Sequence, residues 1–235
     1  MNAAAPPARF LPKDRAMSET QTRLVAIDAI ADVVCPWCYI GKRRLEAAVA
    51  AQDSPVHVRW RPYQLDPSIP PDGFPRQTYL AKKLGADRVE EVEREIAAAG
   101  REAGLAFAFD KIQRMPNTLD AHRLVRIAKI GGIQGKMVER LFSAYLIEGR
   151  DIGDRGLLIE LGVETGLDRE TLIDLFARQD DVQSVKDELA TTRRLGLTGA
   201  PFFIFGEDVV VPGAPSQDIF AAALAKARRA PSRTN

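Results

Sequence analysis

Apolar residues recur along this 235-residue chain in two different rhythms. Residues 23–34, RLVAIDAIADVV, form a short β-branched apolar run, the pattern of a buried strand. Residues 35–52 switch to helical spacing: Trp37, Ile40, Leu45 and Val49 share one face, and Lys42, Arg43 and Arg44 read as its solvated opposite. Pro36 suits the first helical position, where its missing N–H costs nothing. Val56, Val58 and Trp60 alternate with polar neighbours until Pro62 interrupts. That predicts a second strand within 56–67, leading into a loop, with His57 toward solvent. Strand, helix, strand in this order make a right-handed βαβ unit.

Residues 68–75, SIPPDGFP, are a Pro/Gly loop that marks a boundary. From there to residue 195 the helical rhythm dominates. It predicts helices near 76–84, 87–103, 117–130, 134–148, 154–165, 168–177 and 181–195, with GLAFAF at 104–109 as a short extended segment. Asn117 or Thr118 caps the third of these. Strand character returns in PFFIF and DVVVPG, which read as a hairpin, and residues 216–230 form a last amphipathic helix. The resulting order is βαβ, a large all-helical insert, then ββα. It predicts an α/β fold whose discontinuous sheet domain spans 22–67 and 196–230, with a helical insertion domain at 68–195.

Charge narrows the partners: Lys+Arg is 33 and Asp+Glu is 32, which gives no reason to expect nucleic acid or an anionic membrane. No run reaches the roughly 18–20 apolar residues of a membrane helix. Residues 1–21 read as a disordered leader without the apolar core of about 7–15 residues that a secretory signal needs, and Met17 heads a better-formed start. The expected compartment is therefore the cytoplasm, where thiols stay mostly reduced. A monomer and a homodimer fit the sequence equally.

The two cysteines of the chain stand together in DVVCPWCYIG, as Cys35 and Cys38. Three residues apart at a helix start, their Cβ atoms are close enough for a disulfide to open and close with little backbone movement. Cys35 would meet the unpaired N–H groups and positive dipole end that favour a thiolate. The reading is an exposed nucleophile at Cys35 and a buried resolving thiol at Cys38. Two small buried core residues are the plainer alternative. A zinc site would need four ligands, so both His57 and His122 or carboxylates would have to join, and no second ligand pair sits at knuckle spacing. Far along the chain, GLTGAPFFIF sets Pro201 after Ala200 and before an apolar strand. An X–Pro bond is the ordinary place for a cis peptide, and a trans proline starting an edge strand fits the local sequence equally well. Trp37 reads equally as a lid beside the thiol or a core anchor. His122 reads as a helix residue bonded between insert and sheet domain, or as a group assisting proton transfer.

DVVCPWCYIGKRRLE, NTLDAHRL and GLTGAPFFIF…VPGAPS together resemble the DsbA-family thioredoxin-like oxidoreductases, in particular the FrnE-like subgroup, over about residues 24–228. The resemblance implies a thioredoxin-like fold with a helical domain inserted, and thiol–disulfide oxidoreductase or isomerase activity. It implies that Cys35 is the nucleophile, Cys38 its partner, and Pro36 and Trp37 the dipeptide that tunes the redox potential. It also implies a cis bond before Pro201, with the Ala200 backbone contacting substrate. Asn117 and His122 match a segment facing the active-site cleft. The implied partner is a protein, peptide or small thiol or disulfide. No bound cofactor is implied beyond the redox pair, and glutathione fits as co-substrate. Two departures stand out: the periplasmic oxidants of the wider family carry a His where this chain has Trp37, and a signal peptide. Related 2-hydroxychromene-2-carboxylate isomerases and kappa-class glutathione transferases share the layout and typically carry a Ser at the Cys35 position. A glutathione-dependent isomerase or transferase is therefore the alternative function, and a peptide-holding module with little redox turnover is another.

Overall fold

The computed structural model describes residues 24–52 and 55–230; the leader at 1–21 falls outside them. The first unit is β1 (Val25–Ala31), α1 (Pro36–Ala50) and β2 (Val56–Pro62), with β1 and β2 parallel. After a long loop come β3 (Phe74–Pro75), α2 (Arg76–Leu84), α3 (Val89–Glu102) and β4 (Arg114–Met115). Then follow α4 (Leu119–Ile130), α5 (Gln134–Phe142), α6 (Arg155–Thr165), α7 (Arg169–Ala177) and α8 (Val182–Arg194). The chain ends in β5 (Phe202–Phe205), β6 (Val209–Pro212) and α9 (Gln217–Arg229). The main sheet runs in the order β2-β1-β5-β6, with β5 antiparallel to both neighbours. Among the described residues no helix is long and apolar enough to cross a membrane. This is the thioredoxin-like α/β fold with a helical insertion that the motif order implied.

Strand periodicity decides what each sheet face meets. Ile27 and Ala29 stand opposite Phe205 and Phe203, and all four are buried on one face. That face is covered by α1 and α9. Phe203 meets Phe220 of α9 edge-on at 4.9 Å, the geometry aromatic quadrupoles prefer. Gly41 lets α1 approach: a Cβ there would lie 3.0 Å from the Phe203 ring. On the other face, α8 packs against β2. The core is continuous across the chain. Tyr39 of α1 stacks on Phe142 of α5 at 4.9 Å, and Trp60 of β2 meets the same ring edge-on.

Three details depart from the sequence reading. β1 stops at Ala31, so Asp32, Val33 and Val34 form a buried turn instead of more strand. GLAFAF is not extended throughout but tightens into a 3₁₀ turn at Phe109–Lys111. The helix over 134–148 is α5 only to Phe142 and then widens into a π-helical turn over Ser143–Ile147. That widening brings Gly149, at φ +74°, against Lys111, and a Cβ at position 149 would sit 2.5 Å from the Lys111 Cβ and 2.9 Å from its carbonyl oxygen. Gly149→Ala therefore combines a left-handed backbone with a backbone clash. We expect it to lower stability by about 2–4 kcal/mol, read as a shift of the urea midpoint. An unshifted midpoint would show that the 108–111 segment yields freely.

Candidate active site

The turn after β1 delivers the cysteines. The Cys35 N–H donates to the Asp32 carbonyl at 3.0 Å, and Cys35 itself is the N-cap of α1 in extended conformation (φ −86°, ψ 113°). Pro36 follows at the first helical position, where the helix needs no donor. Cys35 and Cys38 are both free thiols. The expectation of an exposed Cys35 is corrected: the residue is 4% exposed, because the Ala200 loop closes over it. The Cys35 Sγ lies 3.8 Å from the Ala200 carbonyl oxygen, and the Ala200–Pro201 peptide is cis. The Pro201 carbonyl in turn accepts from the Gly213 N–H at 2.8 Å, tying the loop to the end of β6. Residues 165 apart in sequence thus meet at one sulfur.

Cys38 is completely buried. Burial, then the bond and charge of Cys35, push its thiol well above the ordinary range; the Asp32 backbone pulls it down and the Asp32 charge adds a smaller upward push. Trp37 is 39% exposed, so it is not a core anchor.

Asp32 is the functional candidate that the sequence reading missed. It is almost wholly buried; Oδ2 accepts from the Leu65 N–H at 2.8 Å, while Oδ1 makes no hydrogen bond. His122 stands next to it, Nε2 to Oδ1 3.5 Å, and that nitrogen also lies 2.9 Å from the Tyr63 carbonyl. A carbonyl only accepts, so Nε2 carries the proton. His122 is buried on α4, with its ring against the turn that follows β2. Asn117 accepts from Gln64 (3.2 Å) and the Leu119 N–H (3.0 Å) and donates to the Ile69 carbonyl (2.6 Å). It pins the loop after β2 to the start of α4 and lines a cavity of about 580 Å³. One signal for Asp32 was available: an acid closing an apolar run, three residues before a cysteine.

The basic face of α1 is also corrected. Lys42 is buried, pairing with Glu46 at 2.6 Å and with Glu139 of α5; Arg43 also pairs with Glu139, and Arg44 donates to the Ala214 carbonyl at 2.6 Å. Burial pushes Glu139 up, but bonds from Lys42 and Tyr39 and the charges of Lys42 and Arg43 outweigh it and hold its carboxyl below the usual range. These pairs lock the redox helix to the helical segment. His57 is exposed on its strand as expected.

Known proteins fit this geometry. A family model described as a DSBA-like thioredoxin domain matches residues 26–225. The uncharacterized protein YwbO of Bacillus subtilis (strain 168) is 29% identical over 202 residues, which are 85% of this chain and 96% of that protein. The crystal structure of a probable DsbA oxidoreductase, SCO1869 from Streptomyces coelicolor, superposes with a TM-score of 0.82 at 30% identity, covering 90% of this chain and 94% of that one. The cytosolic disulfide reductase DsbM from Pseudomonas aeruginosa, solved with glutathione, shares the fold with a TM-score of 0.58 at 22% identity, covering 86% and 95%. With its paired thiols at the head of α1 and the Ala200–Pro201 loop against them, the chain belongs to the DsbA-like thioredoxin-domain family.

Proposed function

We propose that this protein is a cytoplasmic dithiol–disulfide oxidoreductase in which Cys35 exchanges with substrate and Cys38 resolves the intermediate. The observation that carries the reading is the Cys35 sulfur, held at the positive end of α1 and against the Ala200 carbonyl. In the reducing direction the Cys35 thiolate attacks one sulfur of a substrate disulfide. A Cys35–substrate bond forms and the other substrate sulfur leaves as thiolate. Cys38 then gives its proton to Asp32, whose Oδ1 has no competing hydrogen bond, and attacks the Cys35 sulfur. The second substrate thiol is released, and the protein keeps a Cys35–Cys38 disulfide. Two glutathione molecules would return it to the dithiol as glutathione disulfide forms, a co-substrate consistent with the glutathione held by DsbM. An extended substrate segment has the Ala200 backbone to pair with.

Two cysteines favour this reading over a glutathione-dependent isomerase, which has no use for Cys38. Equilibrating the protein in glutathione buffers of graded ratio tests it. The expected result is a reversible two-electron transition of Cys35–Cys38, together with insulin reduction by the dithiol form. A pair that never equilibrates with glutathione and leaves insulin intact would sink the proposal.

A further inference from the structure

A cavity of about 330 Å³ lies on the helical side of the redox pair. Its wall includes Val34 and Pro36, which bracket Cys35, and continues over Leu80, Ile96, Phe109 and Met115. Cys35 itself is not part of the wall, but its two chain neighbours are, so the chamber begins one residue to either side of the exchanging thiol. No residue of the Ala200–Pro201 loop lines this chamber, so it is separate from the edge where an extended peptide would pair.

The charged groups in the wall are paired, although Glu93 Oε1, set against Arg76, makes no hydrogen bond. Arg76 Nη2 pairs with Glu93 at 2.6 Å, and the guanidinium lies 5.2 Å over the Phe109 ring. Lys83 pairs with Asp66 at 2.9 Å. The Tyr79 hydroxyl donates to Asp66 at 3.3 Å, and the Tyr145 hydroxyl donates to the Arg114 carbonyl at 3.0 Å. Burial first, then the Asp66 charge, push Tyr79 up to about 12, so it stays neutral. A charged ligand would have to break an ion pair to be held here, whereas an apolar one loses nothing. A volume near the lower end of the usual range for ligand pockets, about 300–1,000 Å³, suits a small molecule.

Building on the assignment of Cys35 as the exchanging thiol, we propose that this cavity binds the uncharged apolar group of a small organic thiol or disulfide. The tripeptide glutathione, with two carboxylates and an amine, does not fit it. With the oxidised protein, the thiolate of such a molecule attacks the Cys35 sulfur. The new bond is Cys35–S–S–R, the Cys35–Cys38 bond breaks, and Cys38 leaves as a thiolate that takes a proton.

The test uses full-length protein oxidised with glutathione disulfide and two neutral probes, benzyl mercaptan and 2-mercaptoethanol. Opening of the disulfide is followed by acid quenching and intact-mass measurement, and each rate is divided by that thiol's rate with free glutathione disulfide. Burial of the phenyl group should give benzyl mercaptan an advantage of about tenfold or more. Leu80→Trp, which fills the chamber, should remove most of that advantage. A smaller advantage in the wild type, or one undiminished in Leu80→Trp, overturns the proposal. Acetylated Phe-Cys and Ser-Cys dipeptides form the peptide arm: little difference between them is expected, and a difference matching the benzyl preference overturns the small-molecule assignment. If neither probe opens the disulfide, the redox reading itself has failed and not the pocket alone.

Discussion

Cys35→Ser should lower disulfide exchange by about a thousandfold or more, whereas Cys38→Ser should trap it half-way. The scale is that of removing the nucleophile in covalent catalysis. A serine hydroxyl at position 35 keeps the N-cap and the contact with Ala200, so the fold survives while the attacking sulfur is gone. At position 38 the first attack still proceeds, since Cys35 is untouched. The mixed disulfide then has no internal thiol to resolve it and accumulates as a covalent adduct. Intact-mass measurement after mixing with a disulfide substrate reads both outcomes: no adduct for Cys35→Ser, a stable one for Cys38→Ser. Adducts forming on Cys38 in Cys35→Ser would reverse the two roles. Equal turnover by Cys38→Ser and wild type would favour a single-thiol, glutathione-type chemistry instead. What opposes the reversal is the placement of Cys35 at the α1 cap together with the raised thiol of Cys38. A completely buried thiol, held protonated by its surroundings, is a poor first attacker.

How much of this was legible in the sequence follows from range. The CxxC at a strand-to-helix junction is a local pattern, and the strand rhythm before it and helix rhythm after it place Cys35 at the cap without further help. The hairpin turn at 206–208 and the helices after α3 were legible for the same reason, except that the end of the 134–148 segment is a π-helical turn. β3 and β4 were not, because two residues carry no period; they are defined only by the long-range pairing of Phe74 with Met115 and Pro75 with Arg114. Lys42 was read as solvated since its neighbours along the helix are charged. Glu139, almost a hundred positions away, is what draws it inward. The same holds for Asp32 and His122: nothing within a turn of either one announces the other. Their approach depends on His122 of α4 reaching the Tyr63 carbonyl just after β2, which no periodicity encodes. Proximity of Pro201 to Cys35 was reachable only through the resemblance, because it joins the two ends of the chain across the sheet.

Asp32→Asn should slow release of the mixed disulfide in a pH-dependent way, a signature that a purely structural residue would not give. The carboxylate is buried, with one oxygen making no hydrogen bond, an arrangement that costs about 1–3 kcal/mol. Asparagine keeps an oxygen for the Leu65 N–H and removes the charge, but its NH2 then faces the His122 Nε2–H, so the two effects on stability oppose each other and the urea midpoint should shift little. The catalytic effect has two opposing parts. Loss of the Asp32 charge lets Cys38 ionise more readily, but that charge is the smallest of the influences holding the thiol up. Loss of the proton acceptor acts directly on the resolving step, where general-base help is typically worth about 10²–10⁴-fold. The second effect dominates, and the adduct formed on Cys35 should persist at least about tenfold longer near neutral pH. The deficit should narrow as pH rises. Cys38 is protonated at neutral pH in both proteins, and alkali removes that proton without Asp32. Stopped-flow decay of a preformed mixed disulfide, followed across pH in both proteins, measures this. Equal decay rates at neutral pH would remove Asp32 from the chemistry, and a constant deficit at every pH would assign it to packing rather than to proton transfer.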